Sequence, residues 1–473
     1  MATVLIRLHR IEGIEDAKDY IKRLQGVEAL FDQLIDGLRV RAAMGIVAPR
    51  FVYRQAMENS QRIISGQPFA EDASTDSPLM ADFSRKLAAL DIAPEQKQQL
   101  QAEARHALLA SVEPAYRKLI AVLNDLNSQA EVEGGAGMLP QGEAFYRHAL
   151  RQTTTTEMDA DSIHRLGLRE VGRIHNEMKA ALKQFGYDGE LVEFFNHVQV
   201  EPTLFFPQTA AGKQAYIDEA ERLISEMKAR LPEMFAVLPK ADIVVKSVEP
   251  FREKATIGLA FYQPGSQDGA RPGVFYANTY DLSVMPKHSL PTIAYHEGIP
   301  GHHMQVAIAQ ELSNVPQFRR AASYVAFAEG WGLYAELLPK EMGLYDDFYA
   351  DFGRLSAELL RACRLVIDTG LHDRRWSRER AINYLVNNSP THRNQATKAI
   401  ERYLVFPSQA TAYKIGMLKI LELRQRAKNN FGDGFDIRQF HDVVLKNGAL
   451  PLDILEERVN EWIDQSIGRL NRE

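Results

Sequence analysis

The densest group of reactive side chains lies in LPTIAYHEGIPGHHMQVAIAQEL, residues 290–312, where His296 is followed at once by Glu297 and, after four residues, by His302 and His303. Imidazole nitrogens and carboxylates are donors that zinc accepts, and a carboxylate beside such an ion is placed to take a proton from water. In the usual H-E-x-x-H helix, two histidines four apart share one face and the glutamate between them is the base. Here His296 and His302 are six apart. An unbroken helix would rotate them by about 240°, too far to share one ion. Pro300 and Gly301 supply the remedy. Proline deletes a helical hydrogen bond and glycine tolerates unusual dihedrals, so a bulge of two residues returns His302 to the face of His296. His303 needs a larger excursion, which makes it the weaker ligand candidate; packing or a hydrogen bond to substrate suits it better.

A catalytic zinc commonly keeps three protein ligands and one open position, so a third donor is expected on another helix. YVAFAEGWGLYAE, residues 324–336, offers Glu329 and Glu336 among apolar and small residues, where unpaired carboxylates are costly to bury. Seven apart, they share a helix face. Glu329, beside Gly330, is the expected ligand; Glu336 either supports a ligand from behind or faces solvent. Attack of a metal-activated water on an amide or ester carbonyl develops an oxyanion that needs donors, and Tyr413 and His372 are candidates, with satisfied core polar groups as the alternative. Arg402, Tyr403 and Lys414 offer a grip on a substrate carboxylate, or an ordinary helix-surface salt bridge. Tyr276 and Asn278 in PGVFYAN suit an edge strand that pairs with an extended peptide, although that tyrosine would equally suit a core. Trp331 and Trp376 are expected to pack.

Stepping outward, residues 14–230 carry apolar side chains at three- and four-residue spacing, as in DYIKRLQGVEALFDQLIDGLRVRAAMG, which predicts an array of helices. Breaks fall at Gly66 to Pro78, Gly134 to Gly142 and Pro202 to Pro207, and Asp159 supplies a helix cap. After Pro239, ADIVVKSVEPF, ATIGLAFYQPG and RPGVFYANTYDL predict a small sheet, with the glycine-rich loop PGSQDGARPG as a plain connection or a cover over a cleft. Helical periodicity returns from Pro291. The expected fold is mainly α, with a helical lobe over 1–240 and a lobe over 241–473 that carries the sheet and the histidine helices beside a cleft.

The whole chain has 473 residues, 45% of them hydrophobic and 25% charged, a composition that builds a core without disulfide or structural metal. Net charge is −6 with no long basic block, which argues against a nucleic-acid partner. The single cysteine, Cys363, excludes an internal disulfide. No window approaches the roughly 20 apolar residues of a membrane span. The first ten residues, MATVLIRLHR, lack the pattern of a signal peptide, so the chain reads as cytoplasmic unless it is a trimmed precursor of an exported protein.

HEGIPGHHMQ, FAEGWGLYAE, DTGLHDRRWS and ERYLVFPSQATAYKIG together resemble the bacterial family called domain of unknown function 885. DYIKRLQG, Pro49-Arg50, TTTTEMDADSIHRLGLREV and PGVFYANTYDL extend the resemblance over nearly the whole chain. It implies a zinc metallopeptidase akin to the glutamate-ligand zincins, whose helical bodies are split by a deep cleft. By motif, His296, His302 and Glu329 become the zinc ligands and Glu297 the base, with short peptides as substrates. Hydrolysis of another amide or ester, or a non-catalytic helical scaffold, are the rival expectations. Two departures stand out: Pro407-Ser408-Gln409 replaces the family's common Pro-Gly-Gln, and members often carry further amino-terminal sequence.

Overall fold

The computed structural model describes residues 1–130, 134–249, 253, 258–267, 271–313 and 315–470, and it is mainly helical with one three-stranded sheet. The chain packs as two compact units, residues 1–134 with 138–140, and residues 135–137 with 141–473. The boundary between compact units therefore lies about a hundred residues before the division expected at residue 240. The reason is where the middle helices bury their apolar faces. Tyr146, Ile163, Tyr216 and Leu223 share one core with Phe275, Phe327 and Trp331, so residues 141–240 belong with the sheet and the histidine helices.

The first unit is an array of helices whose apolar spacing matches its burial. In Ile14–Gln25 the buried positions are Ala17, Tyr20, Ile21 and Leu24, one stripe of a helix. Ser77 caps Pro78–Ala88 by accepting from the Met80 amide, with proline in the first turn where its missing N–H costs nothing.

In the second unit, seven helices matter for function: α1 (Ala160–Phe185), α2 (Leu290–Glu297), α3 (His302–Glu311), α4 (Val325–Ala335), α5 (Phe348–His372), α6 (Arg393–Val405) and α7 (Ala412–Phe431). Asp159 caps α1 as its sequence suggests, accepting from the Ser162 amide at 2.7 Å. The long helices α1 and α5 pack on each other, as do α4 and α7. At the second crossing a Cβ on Gly330 would lie 2.5 Å from the Gly416 Cα, so only paired glycines permit the approach.

The sheet is ordered β1 (Ile243–Ser247), β3 (Gly273–Ala277), β2 (Ala260–Gln263), with β1 parallel and β2 antiparallel to β3. Tyr276 is thus on the central strand, buried and paired on both sides with Lys246 and Phe261. The edge strand is β2 instead. Residues 268–270 of the PGSQDGARPG loop lie outside the described residues. Ser408 takes the left-handed conformation, φ 72°, that a glycine would adopt without strain. Its hydroxyl stabilises the turn through Thr153 Oγ1 at 2.6 Å and the Ala149 carbonyl at 2.9 Å.

Candidate metal centre

The irregularity demanded by the histidine spacing is a full break between helices rather than a two-residue bulge within one. Helix α2 ends at Glu297 and α3 begins at His302, with Gly298 to Gly301 between them. The break is held tightly. Gly301 N–H donates to the Tyr295 carbonyl at 2.9 Å and His303 N–H to the Gly298 carbonyl at 3.1 Å. A Cβ on Gly301 would stand 1.9 Å from the His296 carbonyl oxygen, so no larger residue fits the turn. Trp331 on α4 donates its indole N–H to the Pro300 carbonyl at 2.9 Å, tying the break to the helix that carries Glu329.

The result is that His296, His302 and Glu329 each present a donor atom, all within 4.8 Å of one another. Nε2 of both histidines lies 3.5 Å from Glu329 Oε2. Donors bound at zinc distances in a tetrahedron stand about 3.4 Å apart, so this donor set fits such an ion in chemistry and in spacing. Glu336, buried on α4, accepts from His296 Nδ1 at 2.7 Å. That bond orients the ring so that Nε2 points toward Glu329. Gly332 makes room, since its Cβ would meet the His296 ring at 2.7 Å.

The electrostatics are those of a site that attracts a cation. Burial alone would lower the His296 pKa, but hydrogen bonds to Glu329 and Glu336 override it and push it up to about 10. For Glu329, burial acts to raise the pKa, and hydrogen bonds from His296 and His302 outweigh it, holding the carboxyl far below its usual range.

Glu297 completes the group. Its Oε2 accepts the Tyr262 backbone N–H on edge strand β2 at 3.0 Å. Glu297, His296, His302 and Glu329 all line a cavity of about 820 Å³, together with Leu259 to Tyr262 and Tyr413.

Other expected site residues are distributed differently. His303 does not face the cavity. It is buried, with Nε2 donating to the Ala241 carbonyl and Nδ1 accepting from Tyr262 Oη, both at 3.1 Å, so neither nitrogen is available to substrate. Burial lowers its pKa to about 4, consistent with the neutral ring these bonds require. His372 is likewise enclosed: Nδ1 accepts from the Ala136 amide and Nε2 donates to the Tyr403 carbonyl, which removes it as an oxyanion donor. Lys414 is fully buried and paired with Glu358 at 2.5 Å and Glu170 at 3.0 Å, so it binds no substrate carboxylate. Tyr276 and Asn278 do not line the cavity, for the strand carrying Tyr276 is covered by β2. Tyr413 and Arg402 do line it. Sequence reasoning missed Arg361 and Arg364, which also line the cavity; two arginines one turn apart in the apolar stretch ELLRACRLVI were the available signal.

The family described as "Bacterial protein of unknown function (DUF885)" matches residues 1–459. The chain belongs to this DUF885 family. Among solved structures, the DUF885 chain is similar to the putative lipoprotein from Colwellia psychrerythraea, with a TM-score of 0.90 and 36% identity over 98% of this chain and 78% of that one. It shares its fold with a putative lipoprotein of unknown function from Shewanella oneidensis, at a TM-score of 0.72 and 18% identity over 96% of this chain and 80% of that one. No curated protein matches this DUF885 member. No helix among its described residues is long and apolar enough to cross a membrane.

Proposed function

We propose that this protein is a zinc-dependent hydrolase of short peptides, with His296, His302 and Glu329 as the metal ligands and Glu297 as the general base. The observation that carries the reading is the convergence of those three donors beside a separate carboxylate on one cavity wall. A divalent ion held by the three would supply Lewis acidity to a carbonyl oxygen and to water. Glu297 takes the proton of the attacking water as the C–O bond forms, then hands it to the departing amine as the C–N bond breaks. Its hydrogen bond from Tyr262 N–H leaves one carboxylate oxygen for this work. Tyr413 lines the same cavity, and its hydroxyl has no hydrogen-bond partner among the described residues, which leaves it free to donate to the oxyanion.

Edge strand β2 suits an extended substrate. Because Tyr262 turns its N–H outward to Glu297, the period of two places the Ala260 N–H and C=O on the same open edge, ready to pair with a peptide backbone. The test is elemental analysis of purified protein, with cleavage of a mixed peptide library before and after chelation. Chelator-sensitive cleavage by the parent, lost in a Glu297→Gln variant that still holds zinc, supports the reading. A protein that holds no zinc, or cleaves equally well after chelation, refutes it.

A further inference from the structure

Two buried guanidiniums elsewhere in the second unit, those of Arg354 and Arg424, and the half-buried one of Arg378 have carboxylate partners. Arg354 meets Asp351 at 2.8 Å, Arg378 meets Glu401 at 2.6 Å and Arg424 meets Glu341 at 2.7 Å. The arginines lining the cavity break this pattern. Arg364, half-buried on α5, donates Nε to Tyr403 Oη at 2.9 Å and faces the Tyr413 ring 4.5 Å away, with no acid within ion-pair distance among the described residues and Glu329 acting on it only at longer range. Arg402, exposed at the end of α6, has none either. Arg361, one turn before Arg364, lies 5.8 Å from the same Tyr413 ring. Its only ion-pair partner among the described residues is Glu336 Oε1 at 3.5 Å, an atom already engaged by His296.

Leaving a cation partly desolvated and unpaired is costly unless something else neutralises it. The cavity's own acids do not. Its lining holds the carboxylates Glu297, Glu329 and Glu336 against the guanidiniums of Arg320, Arg361, Arg364 and Arg402, an excess of one positive charge with the histidines left out of the count. Arginine presents paired N–H donors that match a carboxylate edge, and Tyr403 and Tyr413 position two of these side chains, Arg364 through the Tyr403 hydroxyl and both Arg361 and Arg364 through the Tyr413 ring.

We propose that Arg364 and Arg402, which form no ion pair among the described residues, and Arg361, whose partner Glu336 is shared with His296, form an anchor for a substrate carboxylate in the cavity, with Arg361 and Arg364 against Tyr413. The anchor is connected to the donor cluster through a single side chain, Glu336, which touches both His296 and Arg361. An anion so near the cluster selects peptides whose carboxylate lies close to the scissile bond, above all a free carboxyl terminus. That substrate class rests on the hydrolytic reading given above; the anion site does not.

Calorimetric titration into zinc-loaded Glu297→Gln protein, which should not consume its ligands, separates the two. The probes are acetyl-alanyl-phenylalanine as the free acid, its amide, and acetyl-alanyl-glutamic acid α-amide. The free acid should bind at least about tenfold tighter than the first amide, the effect of a hydrogen-bonded charge pair. Partial recovery with the glutamyl amide shows that a side-chain carboxylate also reaches the anchor. Arg364→Gln and, at the exposed position, Arg402→Gln should each shrink the acid preference while zinc content and melting temperature stay at the parental values. Equal binding of acid and amide overturns the proposal, and so does a preference that survives both substitutions. Acid preference in the variant, together with no chelator-sensitive cleavage of the peptide library by the parent protein, leaves the anchor standing and removes the hydrolase instead.

Discussion

At the scale of single residues, the difference between His302 and His303 is decisive because adjacent positions on a helix point in different directions. His302 faces Glu329 across 3.5 Å, whereas His303 spends both nitrogens on Tyr262 and Ala241. His302→Ala should abolish stoichiometric zinc by elemental analysis with little change in fold. His303→Ala should keep zinc while losing roughly 1–3 kcal/mol of stability in urea denaturation, because it strands a buried hydroxyl and a carbonyl. Zinc lost from the second variant and kept by the first would reverse the ligand assignment. Glu297→Gln is expected to lower kcat about 10²- to 10⁴-fold at unchanged metal content. Glu336→Gln keeps the shape but weakens the acceptor on His296 Nδ1, and zinc affinity in a competition titration should fall about 10- to 100-fold.

At the scale of elements, the site depends on how closely α2, α3 and α4 approach. Gly332 on α4 lies against the His296 ring, so Gly332→Ala must push that ring or the helix away. Zinc affinity should drop sharply in Gly332→Ala, even where circular dichroism shows unchanged helix content. Parental affinity in this variant would mean that the packing of α4 on His296 is looser than described. The elements themselves were legible from sequence to different degrees. The cap at Asp159, the helical periodicity and three short strands could be read locally. The strand order could not, because which of three short apolar strands takes the centre depends on partners distant in sequence. Hence the sequence leaves Tyr276 open between an edge strand and a core, and it lies buried on the central strand.

For the molecule as a whole, buried neutral histidines set the response to acid. Burial lowers His164, His288 and His372 to about 4 and His441 to about 3, all below the usual 6.5. An unfolded chain takes up these protons as pH falls below 6.5 while the native state resists until about 4, so stability is full above 6.5 and declines through that window. Asp368 works in the opposite sense, since burial raises it to about 7 and its native proton favours folding as pH falls. His303, also lowered to about 4, joins the four rings, and His296, raised to about 10, joins Asp368, so five groups oppose two. The urea midpoint should therefore decrease from pH 7.5 to pH 5, and His372→Gln should flatten part of that slope. A midpoint that is level or rises toward pH 5 would contradict the burial of these rings.

From its sequence alone, the protein could be assigned a helical class with a small sheet, a resemblance to its family, and the set of His and Glu residues worth testing as donors. Those features depend on residue type and on spacing within one or two turns. Tertiary structure decided the rest: the complete break at Gly298 to Gly301, the enclosure of His303 and His372, the burial of Lys414 against Glu358, and the arginines gathered around Tyr413. Whether a polar side chain is spent or available depends on what packs against it. That partner comes from a part of the chain tens or hundreds of residues away.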